Sequence, residues 1–288
     1  MLNWRKNIFT KKMFRYALYV PRFILNIHGR NGTFEDSSPI LANSIPKSGT
    51  HLLIAILRAF PEIRDWGNFL ASTPSFTFRE LSVKDVRKKI DRFVPNELVG
   101  AHLFYDDHIA AYLSEKHIIH YFIYRDPRDI VVSEAYYLSQ MNRWHFMHKY
   151  FKSLLDQESR ITLAIEGLEN LPGNRSYPSI LHRVSYFTTW LKKHEIYAIK
   201  YEDLISTNKI ETIQQIVDHY LNVRSLTVNR NELTKKIIHS INPYNSHTFR
   251  TGKSGNWKAV FTERQKDLFK EIAGDLLIEL GYEKDYNW

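Results

Sequence analysis

The sequence predicts an α/β protein: a single domain with a mostly parallel central sheet and helices on both faces. Three observations carry that prediction. From residue 39 onward, short apolar runs alternate with longer segments of helical period, the pattern of strand–helix–strand units. The strand-like runs are apolar almost throughout rather than alternating, as strands covered on both faces are. No repeat of fixed period is present, which argues against a solenoid.

The elements follow in order. "ILANSI" (40–45) is a short apolar run stopped by Pro46 and reads as a buried strand. "THLLIAILRAF" (50–60) reads as a helix ended by Pro61. Residues 62–80, rich in Ser, Thr and aromatics, read as a loop. "SVKDVRKKIDRF" (82–93) is an amphipathic helix with Ser82 as its cap. "ELVGAH" (97–102) is a second strand and "DHIAAYLSEK" (107–116) a helix. "IIHYFIY" (118–124), β-branched and aromatic, is the best candidate for a central strand. A helix follows from Pro127, since proline suits the first helical turn. Residues 143–167 read as helical, 169–178 as a loop, 179–194 as a helix and "IYAIKY" (196–201) as a fourth strand. Helices at 209–221 and 230–240, a polar loop at 242–257 and a helix from Thr262 to about Leu280 complete the chain. No linker splits residues 39–288, which read as one domain preceded by a separate segment, 1–38.

The 288 residues, 43% of them hydrophobic, suffice for one substantial core or at most two small domains. There is no cysteine. That excludes disulfides, thiolate metal sites and a cysteine nucleophile, and favours a reducing compartment. The net charge of +9 points to anionic partners such as nucleotides, acidic glycans, membranes or nucleic acid. Much of the excess lies in residues 1–34, which hold Arg5, Lys6, Lys11, Lys12, Arg15, Arg22 and Arg30 and no acidic residue. Aromatics are interleaved with these charges, so the segment reads either as a membrane-surface arm or as an amphipathic helix packed on the domain. Arg15, Pro21 and Arg22 interrupt its apolar runs, so it is not expected to be a signal peptide or an anchor.

In such a sheet ligands bind beyond the carboxyl ends of the strands. The first strand runs into Pro46-Lys47-Ser48-Gly49-Thr50 and then a helix. Backbone N–H groups at such a turn form an anion nest, and the helix dipole favours negative charge. Lys47 adds a mobile cation, Ser48, Thr50 and His51 add donors, and Gly49 allows close backbone approach. The alternative is an ordinary turn with a solvated lysine. A Walker A loop is not matched, because Leu41 stands where its first glycine belongs and Pro46 where its second does. The third strand ends at "YRDPRDIVVSEAYY". Arg125 and Ser133 would grip one phosphate if the helix packs back across the strand end; alternatively Arg125, Asp126, Arg128 and Asp129 form a local salt-bridge cluster. "RTGKSGNWKAVFT" (250–262) is a basic, glycine-containing loop that fails the Walker test in the same way, with His247 in the first glycine's place.

Together and in order, these pieces resemble the PAPS-dependent sulfotransferases, closest to the cytosolic-type branch. "PKSGT" looks like the family's 5′-phosphosulfate loop, and "YRDPRDIVVS" like its 3′-phosphate motif. "RTGKSGNWKAVFT" resembles its C-terminal signature, and "YEDL" (201–204) matches its Y-E-D-L/M. The resemblance spans roughly residues 40–282. It implies a P-loop-like nucleotide-binding fold and transfer of a sulfuryl group from PAPS, leaving PAP, to a hydroxyl on a small molecule, lipid or glycan. It implies neither a metal nor a nucleic-acid partner. "GAHLF" (100–104) fits the family's strand with the catalytic histidine, so His102 is the implied base and Lys47 the implied neutraliser of the leaving phosphate. Ser48, Gly49, Thr50 and His51 would hold the 5′-phosphosulfate. Arg125, Ser133, Arg250, Thr251 and Gly252 would surround the 3′-phosphate, and Tyr201 would lie near the nucleotide. Without the resemblance, the favoured reading of His102 is a structural hydrogen-bonding residue. The resemblance further implies a cytoplasmic enzyme, with membrane contact possible only through residues 1–38.

The sequence departs from the family pattern at several places. Leu52 replaces a tryptophan, Gly100 a lysine and Phe104 a proline, while Thr251 replaces a lysine and Asn256 an aspartate. Glu263 replaces the valine of the family's dimer signature. Residues 62–95 and 140–178 are expected to wall the acceptor pocket, with Trp66, Phe69, Phe76, Phe78, Trp144, Phe146 and Tyr150 as its aromatics. Two other function classes fit less well. A P-loop kinase using ATP lacks its loop glycines, and a polyanion or membrane binder leaves the catalytic residues without purpose.

Overall fold

A computed structural model describes residues 22, 34, 37–75, 77–173, 175–241 and 254–288. Five parallel strands form the central sheet: β1 (Ile40–Ser44), β2 (Arg64–Ala71), β3 (Glu97–His102), β4 (Ile119–Tyr124) and β7 (Ile196–Lys200), in the order β2-β3-β1-β4-β7. Because every pair is parallel, all five carboxyl ends lie along one edge. Buried side chains alternate between the two faces. Leu41, Val99 and Phe122 enter one core cluster; Ile40, Ala42, Tyr121 and Ile123 enter the other. This is why the inner strands read as unbroken apolar runs.

The helices sit where their caps and periods place them. They are α1 (Thr50–Leu57), α2 (Val83–Ile90), α3 (Asp107–Glu115), α4 (Pro127–Tyr136), α5 (His148–Ser153), α6 (Gln157–Glu166), α7 (Ile180–Thr188), α8 (Tyr201–Ile205), α9 (Lys209–Val223), α10 (Arg230–Ser240), α11 (Trp257–Val260) and α12 (Glu263–Glu279). The Ser82 side chain caps α2 by accepting from the Asp85 N–H, and Asp126 caps α4, where Pro127 takes the first turn. Thr262 and Gln265 form a reciprocal capping box on α12. Among the described residues no helix is long and apolar enough to cross a membrane.

Three expectations need correction. The segment 62–80 is not all loop: it contributes the edge strand β2, which carries a register shift between Arg64 and Asn68. The helix expected over 143–167 is two, α5 and α6, separated where Asp156 caps the second. The loop expected over 169–178 contains a two-stranded antiparallel ribbon, β5 (Leu168–Leu171) with β6 (Arg175–Tyr177). The helix from Pro127 also runs on into a π-helical turn, Tyr137–Met141. Of the N-terminal segment, Arg22 lies inside the described residues. It donates to the fully buried Glu97 carboxylate at 2.7 Å, which holds that one residue against the start of β3. The expectations for the rest of 1–33, and for Arg250, Thr251 and Gly252, lie outside the described residues.

Candidate active site

The carboxyl edge of the sheet gathers the predicted residues. Between β1 and α1 the chain reverses through two left-handed positions, Lys47 at φ 69° and Gly49 at φ 100°. Such a backbone turns successive N–H groups toward one point. The first N–H groups of α1 have no intrahelical partner and add the positive end of the helix dipole. Ser48 is fully buried, and its hydroxyl has no hydrogen-bond partner. A buried hydroxyl left unsatisfied costs free energy unless a ligand completes it, so the loop offers an unused donor beside its converging N–H groups. Thr50 is buried and its hydroxyl lies 2.7 Å from that of Ser44. His51, in the first turn of α1, is exposed.

Gly49 has a further reason to be glycine. A Cβ there would stand 2.5 Å from Cδ2 of Tyr201, whose ring packs directly on the loop. Tyr201 opens α8 at the end of β7 and is buried. Its ring also carries the Arg125 guanidinium, 4.6 Å from its centroid. Arg125 leaves β4, donates to the backbone carbonyl of Lys47 at 3.4 Å, and donates to Asp129 at 3.2 Å. The 5′- and 3′-phosphate motifs of the sequence are therefore joined by direct contact. Ser133 lies half-buried on α4, about 9 Å along the axis from Pro127.

His102 ends β3 beside β1. Its Nδ1 lies 2.9 Å from the Ser44 backbone carbonyl and 3.1 Å from the Ser44 hydroxyl. A carbonyl can only accept, so Nδ1 carries the ring proton and Nε2 keeps its lone pair. Burial pushes the His102 pKa down to about 4; the Ser44 carbonyl raises it, and the positive charges of His51 and Lys47 lower it further. The ring is thus neutral at physiological pH, with its basic nitrogen unprotonated. Phe69, projecting from β2, stands edge-on to it at 5.0 Å.

The alternative reading of the "RDPRD" residues as a local salt-bridge cluster is borne out: Arg125 pairs with Asp129 at 3.2 Å and Arg128 with Asp126 at 2.8 Å. Arg128 also pairs with Glu283 at 2.6 Å, and its guanidinium lies over the rings of both Trp257 and Trp288. Arg125 and Asp129 do belong to the site edge. One participant was not foreseen. Tyr137, in the π-helical turn, lies under the Lys47 ammonium at 3.8 Å; its position four residues after Ser133 was the available signal. Phe69, expected among the aromatics of the acceptor wall, stands on a strand in a segment read as loop. Among the described residues no three His, Asp or Glu side chains converge as a metal site would require.

The fold has known counterparts. No curated protein matches the chain in sequence. Among solved structures it is similar to mouse sulfotransferase SULT7A1 complexed with PAP, at 17% identity and TM-score 0.58, covering 91% of this chain and 95% of that one. It is similar also to retinol dehydratase complexed with androsterone and PAP, at 12% identity and TM-score 0.54 over 88% of this chain and 85% of that one. A further structure of retinol dehydratase, with retinol and PAP, superposes with TM-score 0.55 at 12% identity over the same shares. These likenesses establish the fold. The sulfotransferase domain family itself matches residues 37–281, the whole sheet and every described residue of the site. The chain belongs to the sulfotransferase family, and sulfuryl transfer is its chemistry.

Proposed function

We propose that the protein transfers the sulfuryl group of PAPS to a hydroxyl acceptor, with His102 as base and Lys47 at the leaving phosphate. The carrying observation is the His102 tautomer: Nδ1–H is committed to the Ser44 carbonyl at 2.9 Å, which leaves Nε2 as the acceptor of a hydroxyl proton. Attack of the acceptor oxygen on sulfur breaks the bond from sulfur to the bridging oxygen of the 5′-phosphate. The acceptor proton passes to Nε2, and the electron pair of the broken bond stays on the phosphate of PAP. Negative charge grows on that oxygen, where the Lys47 ammonium and the N–H groups of residues 48–51 act. A pKa of about 4 makes His102 a weak base in the empty site. A bound polyanionic donor would offset Lys47 and raise that pKa toward the working range.

Arg125, Ser133 and Tyr201 serve the nucleotide in this reading, and the 3′-phosphate on Arg125 is what separates PAPS from ATP. The acceptor has an apolar body. Phe69 edges His102, and Phe104, two residues beyond it, stacks on the exposed Tyr186 at 4.5 Å. An aromatic rim favours a phenol, sterol or lipid alcohol over a sugar.

Calorimetry and turnover test the reading together. PAP is expected to bind without Mg²⁺ and far more tightly than ADP. His102→Ala is expected to lose transfer by at least a hundredfold while keeping PAP affinity, in line with the ~10²–10⁴-fold worth of a general base. Normal turnover by His102→Ala removes it as the base; equal or metal-dependent binding of PAP and ADP removes the sulfotransferase assignment of the nucleotide site.

A further inference from the structure

Asp129 is 1% exposed and sits one turn into α4. Its carboxylate makes three contacts that converge from separate parts of the chain. Oδ2 accepts from Arg125 Nη2 at 3.2 Å and from the Gly255 backbone N–H at 2.8 Å. Oδ1 accepts from the Trp257 backbone N–H at 3.1 Å. Its neighbour Asp126 does none of this, being occupied by Arg128.

We propose that Asp129 is the positioning residue of the 3′-phosphate site: one buried carboxylate locks the Arg125 guanidinium and the backbone of Gly255 and Trp257 into a single frame. The inference rests on reading Arg125 as the 3′-phosphate contact. A guanidinium offers a rigid planar fork, and its selectivity for phosphate depends on that fork being aimed. Here the aim is set on two sides. Asp129 holds one terminal nitrogen, and the Tyr201 ring supports the face at 4.6 Å. Fixing the side chain beforehand removes much of the ordering cost that a long, flexible arginine would otherwise carry into binding. Simple electrostatics does not account for the carboxylate, because a negative charge beside a phosphate site repels the ligand. Its benefit is geometric, and it reaches both the β4 exit and the segment that opens α11.

The test compares PAP with adenosine 5′-phosphate by calorimetry, so that the ratio of the two dissociation constants isolates the 3′-phosphate. Asp129→Asn keeps the shape and leaves an oxygen for Trp257, but turns an amide N–H₂ toward two donors, Arg125 and Gly255. The wild type is expected to prefer PAP. Asp129→Asn is expected to lose about tenfold of that preference, the usual worth of one charge-assisted contact, with affinity for adenosine 5′-phosphate within about twofold of wild type. An unchanged ratio overturns the inference. A wild type that does not distinguish the two ligands overturns the Arg125 reading and this inference with it. Should Asp129→Asn fail to fold, Asp129→Glu keeps the charge and shifts its reach by one methylene; the ratio is then expected to fall at least about threefold, and an unchanged ratio again overturns the inference.

Discussion

Replacing Gly49 by alanine should damage the protein in a way that one second mutation partly repairs. At φ 100° and ψ 26° an alanine pays the steric cost of a left-handed backbone, about 1–2 kcal/mol. Its Cβ would also stand 2.5 and 2.9 Å from two Tyr201 ring carbons and 3.3 Å from Ile123 Cδ1. To regain normal contact the ring must retreat by about 1 Å. It is buried, and the Arg125 guanidinium lies over it at 4.6 Å. Such overpacking costs about 1–3 kcal/mol more, so the total is about 3 kcal/mol. Urea denaturation followed by far-UV circular dichroism measures it. The decisive arm is the double-mutant cycle with Tyr201→Ala. Once the ring is gone, Gly49→Ala should cost only its backbone share, about 1–2 kcal/mol. The reasoning fails if Gly49→Ala lies within 0.5 kcal/mol of wild type, a margin typical of neutral surface changes. It fails equally if the cost is undiminished without Tyr201, since the ring contact would then carry none of it.

Two further outcomes concern stability. His120 is 2% exposed, neither ring nitrogen has a partner, and burial lowers its pKa to about 3. The unfolded chain, with its histidine near 6.5, takes up the proton first as pH falls, so stability present above pH 6.5 drains away toward pH 3. At pH 4.5 that loss is roughly 2–3 kcal/mol, and His120→Leu should flatten this part of the pH dependence of urea midpoints; an unaltered acid slope would show that His120 is not its source. Arg128→Leu strips Asp126 of a partner at 2.8 Å in a buried setting and should destabilise by about 3 kcal/mol. Arg128→Lys should cost less but still lose the stacking between Trp257 and Trp288. A loss below 1 kcal/mol for Arg128→Leu in the same denaturation assay would mean that water reaches the carboxylate.

The legibility of the sequence tracked burial on two sides. β1, β3, β4 and β7 were all legible because each is an apolar run delimited by a helix signal, and their common carboxyl edge followed from parallel pairing. β2 was not. It is an edge strand, half-exposed along most of its length, and "RDWGNFLA" contains the Asp, Gly and Asn that ordinarily mark turns. The register shift near Gly67 is how the strand tolerates them. The Lys47 loop was legible from its own short-range pattern, whereas His102 and Tyr201 were placed only by the resemblance to the family. What spacing could not supply was which face each side chain presents. The proton position on His102 follows from a carbonyl 58 residues away in sequence, and Asp129 meets Gly255 across 126 residues. Contacts of that separation leave no local trace in the chain.

The departures from the family pattern become coherent only in three dimensions. Gly100 stands where the family has a lysine, and read alone it is the loss of a charge beside His102. In the fold a Cβ at Gly100 would meet Ile54 Cδ1 and Phe69 Cδ2, each at 2.8 Å. The space that a side chain would need is filled from β2 and α1, so the Phe69 ring occupies the room that a lysine at position 100 would require. Phe104, in the place of a proline, is likewise held by aromatic contact, stacked on Tyr186 at 4.5 Å and edge-on to Phe187 at 5.1 Å. Both positions are thus packed against rings near His102. Lys47 rests 3.8 Å over the Tyr137 ring. The rings of Phe69, Phe104 and Tyr186 gathered at this end of the sheet are the structural ground for the proposed acceptor with an apolar body. The departures at Leu52 and Thr251 fall on the nucleotide side, so the change from the family pattern is not confined to one half of the site.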